Sequence, residues 1–177
     1  WMAENLKVNH YPDGTAITLV MDNTAWANLG DNNTDAAWCK YDNNSSSPYG
    51  ALYTYAAALN ACPTGWHLPS DAEWTILENY ISNDGYSGTE GTALKATNGW
   101  NSGGNGTDNY GFAALPGGNR VNNSGLFVNI GDKGFWWSST EYSNSNASAR
   151  YLNNTTAYLY TASFLKSGGF SIRCIKD

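Results

Sequence analysis

Hydrophobic and polar positions follow a helical spacing in two stretches, both in the first half of the chain. The first runs from Ala51 to Ala61, where alanines favour helix and other apolar side chains recur every three or four positions. Pro63 then prevents the helix from continuing. The pattern predicts a helix whose apolar face consists of Leu52, Tyr55, Ala56 and Leu59.

The second helical stretch begins with a capping signal. The Ser70 hydroxyl can accept the amide proton of Glu73, while the Glu73 carboxylate reaches back to the start of the helix. We therefore predict a helix that begins at Ser70 and fades near Asn83–Gly85. Its apolar positions keep helical spacing and are Trp74, Leu77 and Ile81.

Most other apolar positions occur in short runs between Gly-, Asn- and Asp-rich turns, which is typical of strands in a loop-rich fold. Two early helices followed by many short strands indicate an α+β class, with the helices packed on a small, irregular antiparallel sheet. We expect a single domain over residues 1–177 with an aromatic core of Trp66, Trp74, Trp136, Trp137 and Phe170. The predicted strands are Trp1–Asn5, Ala16–Met21, Phe112–Leu115, Leu126–Ile130, Phe135–Ser139, Arg150–Leu152, Ala157–Thr161 and Gly169–Ile175.

Composition and charge exclude several classes of protein. Eight Trp and twelve Tyr among 177 residues, with 14% charged residues, argue against intrinsic disorder. The net charge of −6 and the absence of a Lys/Arg cluster argue against a nucleic-acid partner. No apolar run approaches the roughly 20 residues that a membrane span needs, so we expect no membrane insertion.

The residues that usually carry catalysis or bind metals are few and scattered. His67 lies in an apolar context and is expected to be a hydrogen-bonded structural residue, and no Ser/His/Asp arrangement stands out. The three cysteines form no CxxC pair, and one disulfide with one cysteine left over is the simplest oxidised state. We expect no enzyme activity, no cofactor and no metal site, although one flexible loop offers oxygen ligands at Asn101, Asn105, Asp108 and Asn109.

Several ordered motifs carry a resemblance to known families. Tyr53–Cys62, followed by Gly65–Ser70, resembles the two-helix opening of a C-type lectin domain. The closer similarity is to the Fibrobacter-type major paralogous domain, a bacterial branch of that fold, and it spans essentially the whole chain. Its landmarks here are Trp1–Leu6, Tyr49–Tyr53, Cys62–Glu73, Gly111–Gly118, Trp136–Thr140 and Gly169–Asp177.

The resemblance implies a C-type-lectin-like fold, a cell-surface or secreted location and a specific disulfide. In the family the first-helix cysteine pairs with one in the final strand, here Cys62 with Cys174. Relatives often carry another cysteine where this chain has Ser45–Pro48, which would leave Cys39 unpaired; a Cys39–Cys62 bridge is the alternative. The chain opens at Trp1 with an apparent strand, as expected of a segment whose leader has been removed.

The segment from Glu141 to Leu165 has the composition of a binding surface. It combines tyrosines, which give wide contact at low entropy cost, with small polar residues that adapt their hydrogen bonds. We predict that it contacts an unidentified protein or glycan ligand, supported by the neighbouring Asn122–Asn123 loop. The candidate ligand-binding residues are Tyr142, Asn144, Asn146, Ser148, Arg150, Tyr151, Asn153, Thr155, Tyr158, Tyr160, Ser163 and Phe164, and their five aromatic members are expected to be exposed.

In some relatives this region is rewritten by a diversity-generating retroelement that mutates adenines, especially in Asn codons. Most residues of Glu141–Leu165 are ones that such changes to an Asn codon would encode, or are Asn left unchanged. Ordinary strand propensity with polar outward faces explains part of the same pattern. Two other functions remain open: a fixed-specificity lectin that stacks sugar on a residue such as Trp100, and a structural cell-surface module. Formylglycine-generating enzymes share the fold but use a pair of cysteines near the C-terminal part, where Cys174 stands alone.

Overall fold

The computed structural model describes residues 1–177 and confirms the α+β class, with few helices and short, curled sheets. The helices are α1 (Asn23–Ala27), α2 (Tyr55–Ala58), α3 (Asp71–Ile81) and α4 (Glu90–Leu94). The strands are β1 (Thr18–Leu19), β2 (Ala37–Cys39), β3 (Leu52–Tyr53), β4 (Trp66–His67), β5 (Gly117–Arg120), β6 (Phe127–Ile130), β7 (Lys133–Glu141), β8 (Asn146–Asn153), β9 (Tyr160–Leu165) and β10 (Ile175–Lys176).

The strands form three sheets rather than one. The largest has the order β6-β5-β7-β8-β9, and two smaller sheets have the orders β1-β2-β3 and β10-β4. Most neighbouring strands are antiparallel, as expected, but β1 pairs with β2 and β5 with β7 in parallel. Both parallel partners are separated by long stretches of chain, and such non-local pairing leaves no local signal in the sequence.

The first predicted helix is shorter than the sequence indicated. Leu52 and Tyr53 pair with β2 as strand β3, and the helix begins only after Thr54, whose hydroxyl accepts a hydrogen bond from the Ala57 amide. The alanine-rich pattern also fits a buried strand followed by a single turn of helix, since all four residues of α2 are buried. The five-residue helices α1 and α4 were not predicted because they are too short to show a periodic apolar face.

The prediction for α3 is confirmed. The Ser70 hydroxyl accepts a hydrogen bond from the Glu73 amide at 3.3 Å, and the Glu73 carboxylate accepts one from the Ser70 amide at 2.7 Å. Trp74 and Ile81 are fully buried on the inner face. The helix passes at Ser82–Tyr86 into a π-helical turn that contains Gly85 at a positive φ of 98°.

The apolar core forms around the largest sheet. Trp74, Trp136, Trp137 and Phe170 are buried as predicted, but Trp66 is half-buried at the margin of the core. The first five residues form no strand; their segment is held by hydrogen bonds from the amides of Met2 and Leu6 to Cys174 and Ile172. No helix has the length and apolar character needed to cross a bilayer.

A disulfide joins the end of the α2 region to the last part of the chain. Cys62 and Cys174 are bonded with their Cα atoms 5.9 Å apart, so the expected pairing is confirmed and the Cys39–Cys62 alternative is wrong. Cys39 is free and buried on β2.

Candidate functional site

Strands β7, β8 and β9 place a set of aromatic side chains on one face of the large sheet. The register sets Phe135 opposite Tyr151, and Tyr151 opposite Tyr160. Because side chains alternate between the two faces of a strand, Phe164 lies on this same face, four residues beyond Tyr160. The Phe135 and Tyr151 rings are stacked with centroids 5.6 Å apart, and the Tyr151 and Tyr160 rings at 4.8 Å.

This aromatic face opens into a groove of about 670 Å³, a volume within the usual range of small-ligand sites. Its floor consists of Phe135, Tyr151, Phe164 and Phe170. One wall is residues 119–122, at the end of β5 and just beyond it, and the other is Ala162, Ser163 and Leu165 of the edge strand β9. We call this feature the β5–β9 groove.

Side-chain amides surround the groove. Asn119, Asn122, Asn129 and Asn146 all line it. The side-chain NH₂ of Asn129 donates a hydrogen bond to the side-chain oxygen of Asn119 at 2.6 Å, and this orients both side chains on the wall. Asn129 itself has a φ of 66°, a left-handed conformation that Asn tolerates better than most residues. The groove therefore combines an apolar aromatic floor with donors and acceptors on its rim.

Four of the residues that the sequence singled out line the β5–β9 groove: Asn146, Tyr151, Ser163 and Phe164. Tyr160 borders it through its stacked contact with Tyr151. Of the Asn122–Asn123 loop, Asn122 lies in the wall and Asn123 lies outside the groove lining. The sheet thus brings together residues from both halves of the predicted segment and from a loop outside it.

Other predicted residues lie in the turns at the two ends of strands β8 and β9. Tyr142 and Asn144 are exposed in the β7–β8 turn, where the Tyr142 side chain is 73% exposed. Tyr158 is 53% exposed, and its ring lies 6.0 Å from that of Tyr160. At the end of β8 the side-chain oxygen of Asn153 accepts hydrogen bonds from the backbone amide and the hydroxyl of Thr155, which lies in the β8–β9 turn.

The five aromatic residues expected to be exposed are divided between two states. Tyr142 and Tyr158 are exposed, whereas Tyr151, Tyr160 and Phe164 are partly buried along the groove, and none is fully buried. The expectation of exposure was therefore wrong for these three, because Tyr151 and Phe164 pack against the core and Tyr160 stacks on Tyr151.

Ser148 and Arg150 are corrections to the predicted ligand-binding set. Both point to the opposite face of β8 and are buried, with Arg150 only 2% exposed. The Arg150 guanidinium donates to the Thr75 hydroxyl at 2.9 Å and forms an ion pair with Asp71 at 3.2 Å. The Arg150 contacts attach α3 to the sheet, and burial places Ser148 in the scaffold as well.

Sequence reasoning missed half of the groove. Lys133 and Phe135 stand two residues apart on β7, and that period-two spacing could have placed them on the face that carries Tyr151. Asn119, Asn129 and Phe170 carried no such signal, because only the folded arrangement of β5, β6 and the final stretch of chain brings them to the groove.

Other candidate residues have structural roles. Trp100 is 5% exposed and its indole N–H donates to the Ala114 carbonyl, so it offers no surface for stacking a sugar. Burial raises the pKa of the Cys39 thiol to about 11, which keeps it in the unreactive thiol form. The loop considered for calcium uses Asp108 and Asn105 to accept hydrogen bonds from the Ala113 and Trp100 amides.

His67 joins the end of the chain to α3, as expected of a hydrogen-bonded structural histidine. Its Nδ1 lies 2.6 Å from the Asp177 carboxylate, and its Nε2 lies 2.8 Å from that of Glu73. Hydrogen bonds first to Asp177 and then to Glu73 raise the pKa of His67 above its ordinary value.

Comparison with known proteins identifies the family. The profile of the Fibrobacter succinogenes major domain matches residues 1–176. No curated protein and no solved structure matches the chain significantly. Because the profile covers nearly the whole chain, the protein belongs to the Fibrobacter succinogenes major domain family.

Proposed function

We propose that the chain is a non-catalytic recognition module of a secreted or surface-displayed protein, and that the β5–β9 groove and its flanking turns bind the ligand. The observation that carries this proposal is the convergence of an aromatic floor and an amide-rich rim at the tyrosine-rich segment. Aromatic and small polar residues are the combination that binding surfaces use, with rings providing contact area and amides setting hydrogen-bond geometry.

The chemistry of the lining favours binding over catalysis. The groove is lined by aromatic, aliphatic, amide and hydroxyl groups with one lysine and one arginine. The groups with the most perturbed pKa values, Tyr53 and Arg173, are buried in the core away from the groove, where they hydrogen-bond to backbone carbonyls. Perturbed pKa values that mark a catalytic centre would instead cluster in the cleft.

The same proposal includes a C-type-lectin-like fold and diversification by a retroelement. Both rest on the sequence resemblance, and the structure adds a pattern that makes the second testable. Turn residues such as Tyr142 and Tyr158 are exposed and can change without disturbing the core, whereas Ala147, Ala149 and Leu152 are completely buried. Diversification should therefore change Tyr142, Tyr158 and Tyr160 more freely than the buried positions, which it should leave intact.

Deep sequencing of the gene and its flanks in a growing population tests the retroelement. Adenine-directed changes confined to codons 141–165, sparing the buried positions, with a template copy nearby, would support it. A uniform segment without a template would leave a binding module of fixed specificity.

A comparison of two tyrosine variants tests recognition itself. The purified protein is applied to glycan arrays and to a displayed random-heptapeptide library, together with Tyr160→Ala and Tyr80→Ala. Tyr80 is a matched control because it is 62% exposed but lies on α3, outside the groove. We expect Tyr160→Ala to lower the affinity for any specific ligand by about tenfold or more. Tyr80→Ala should leave that affinity unchanged. Equal losses in the two variants would contradict the proposal.

A further inference from the structure

The charge of the groove is opposite to the charge of the molecule. The chain has a net charge of −6, yet the groove lining contains Lys133 and Arg120 and no Asp or Glu. Lys133 makes no ion pair and no side-chain hydrogen bond within the protein. A cation with no internal partner at a ligand groove is available to a negatively charged group of the ligand.

Arg120 lines the groove on β5, but its guanidinium is held by residues outside the groove lining. It is fully buried, and its guanidinium donates to the carbonyl oxygens of Val20, Met21 and Gly125 and to the side chain of Asn23. All four acceptors are neutral, so no carboxylate cancels its charge. None of these partners lines the groove, so Lys133 is the cation that a ligand in the groove can reach.

Two amide groups near Lys133 have spare donors. The side-chain oxygen of Asn119 accepts a hydrogen bond from Asn129. The side-chain oxygen of Asn153 accepts hydrogen bonds from Thr155 and Thr156. The NH₂ groups of Asn119 and Asn153 therefore remain for a ligand. Asn153 pairs directly with Lys133 across β7 and β8, two residues from the pair formed by Phe135 and Tyr151. An anion-binding end thus adjoins the aromatic floor.

The wall formed by β9 indicates the shape of the ligand. β9 is an edge strand, and four consecutive residues, 162–165, line the groove. An edge strand presents unpaired backbone N–H and C=O groups along its outer side, which complement another extended peptide backbone. A sugar chain has no matching ladder of amide groups, so the geometry favours a peptide.

We propose that the β5–β9 groove binds an extended peptide segment that carries an apolar side chain followed by a carboxylate, from Asp, Glu or a chain terminus. The apolar side chain packs on the floor of Phe135, Tyr151 and Phe164, and the carboxylate is held by Lys133 and the neighbouring amides. This inference rests on the proposed ligand-binding role of the groove and adds the chemical class of the ligand.

Charge reversal with a matched control tests the inference. A displayed random-heptapeptide library is selected on the native protein, on Lys133→Glu and on Lys176→Glu. The two variants change the net charge equally, but Lys176 is exposed on β10, outside the groove. We expect the native protein and Lys176→Glu to enrich peptides with an apolar residue next to Asp or Glu. Lys133→Glu should lose that preference and enrich Lys or Arg instead.

Affinities of individual peptides make the test quantitative. Lys133→Gln should lower the affinity for a selected acidic peptide about three- to tenfold. It should not lower the affinity for the amide counterpart of that peptide, in which Gln replaces Glu. This variant also serves if Lys133→Glu does not fold.

Selection of neutral or basic peptides by the native protein would overturn the inference while leaving the groove as a binding site. Binding of an acidic polysaccharide such as polygalacturonate, without any peptide, would overturn the peptide assignment in the same way. Ligands insensitive to both Lys133 and Tyr160 would contradict the proposed function as well.

Discussion

Arg150 shows how one residue of a tyrosine-rich segment can be structural while its neighbours form a surface. The sequence places it beside Tyr151 in a stretch of uniform polar character, and composition cannot distinguish the two. The alternation of a β-strand assigns them to opposite faces, and the register of β7 and β8 decides which face is covered by α3. Register depends on distant strands, so the sequence alone could not exclude Arg150 from the ligand-binding set.

Replacing Arg150 should affect stability and not binding. Arg150→Gln removes the ion pair with the partly exposed Asp71 and a hydrogen bond to Thr75, so we expect a loss of about 1–3 kcal/mol in the free energy of unfolding. Urea denaturation measures the loss, and Lys176→Gln on the surface is the control. A fully stable variant with weakened ligand binding would instead return Arg150 to the binding surface.

Cys39 should be unreactive in the folded protein. Its thiol is buried and its pKa is raised to about 11, so at pH 8 almost none of it is the reactive thiolate. Iodoacetamide followed by intact-mass measurement should show no label on the native protein and one label in guanidinium without reductant. Three labels should appear after reduction in guanidinium, because the disulfide then opens. Rapid labelling of the native protein would contradict the burial of this side chain.

At the scale of elements, the sequence predicted a helix correctly where it contained both a capping signal and a periodic apolar face. The capping box and the apolar face fixed the start and orientation of α3, because both depend on residues within one helix. The stretch Ala51–Ala61 had propensity without such boundaries, and pairing with β2 converted its first part to strand β3. Helix propensity is a weak preference that strand pairing and burial readily override.

The junction of β4, β10 and α3 should respond to pH through His67. Its pKa is raised in the folded state by hydrogen bonds to Asp177 and then Glu73, so the protonated form stabilises the fold. That contribution is complete below the ordinary histidine pKa of about 6.5 and is lost as pH rises above it through the higher folded pKa. Thermal unfolding should therefore show stability falling as pH rises above that value.

Two histidine variants separate this junction from the rest of the molecule. His67→Gln should flatten the pH dependence, while His10→Gln, in the first loop of the chain, should retain it. An unchanged slope in His67→Gln would show that the junction does not carry the effect.

At the scale of the molecule, the disulfide closes the chain on itself. Cys62 and Cys174 are 112 positions apart, so their bond removes much of the freedom of the unfolded chain. The double replacement Cys62→Ser with Cys174→Ser should lower the free energy of unfolding by up to about 4–5 kcal/mol, as measured in urea. Cys39→Ser leaves this loop closed and controls for loss of a thiol. Equal stability of the double variant and the native protein would contradict this role.

The β5–β9 groove is a property of the whole molecule, which explains why the sequence predicted only part of it. Tyr151 and Phe164 belong to one segment whose composition marks it as a surface, and that part was accessible to reasoning from residues. The opposite wall comes from a parallel contact of β5 with β7, made through a single pair of glycines, Gly118 and Gly134. The pairing of these two glycines brings β5 against β7, and no periodic or turn pattern in the sequence marks it.

Hydrogen–deuterium exchange with and without a selected ligand tests the central claim most directly. The amides on the outer edge of β9 have no strand partner, so a ligand in the groove should slow exchange there and in the β5 wall. We predict protection of peptides covering 160–165 and 119–122, with no change in 76–80 on the exposed face of α3. Protection of 76–80 with unchanged exchange along β9 would place recognition on another surface and contradict the account.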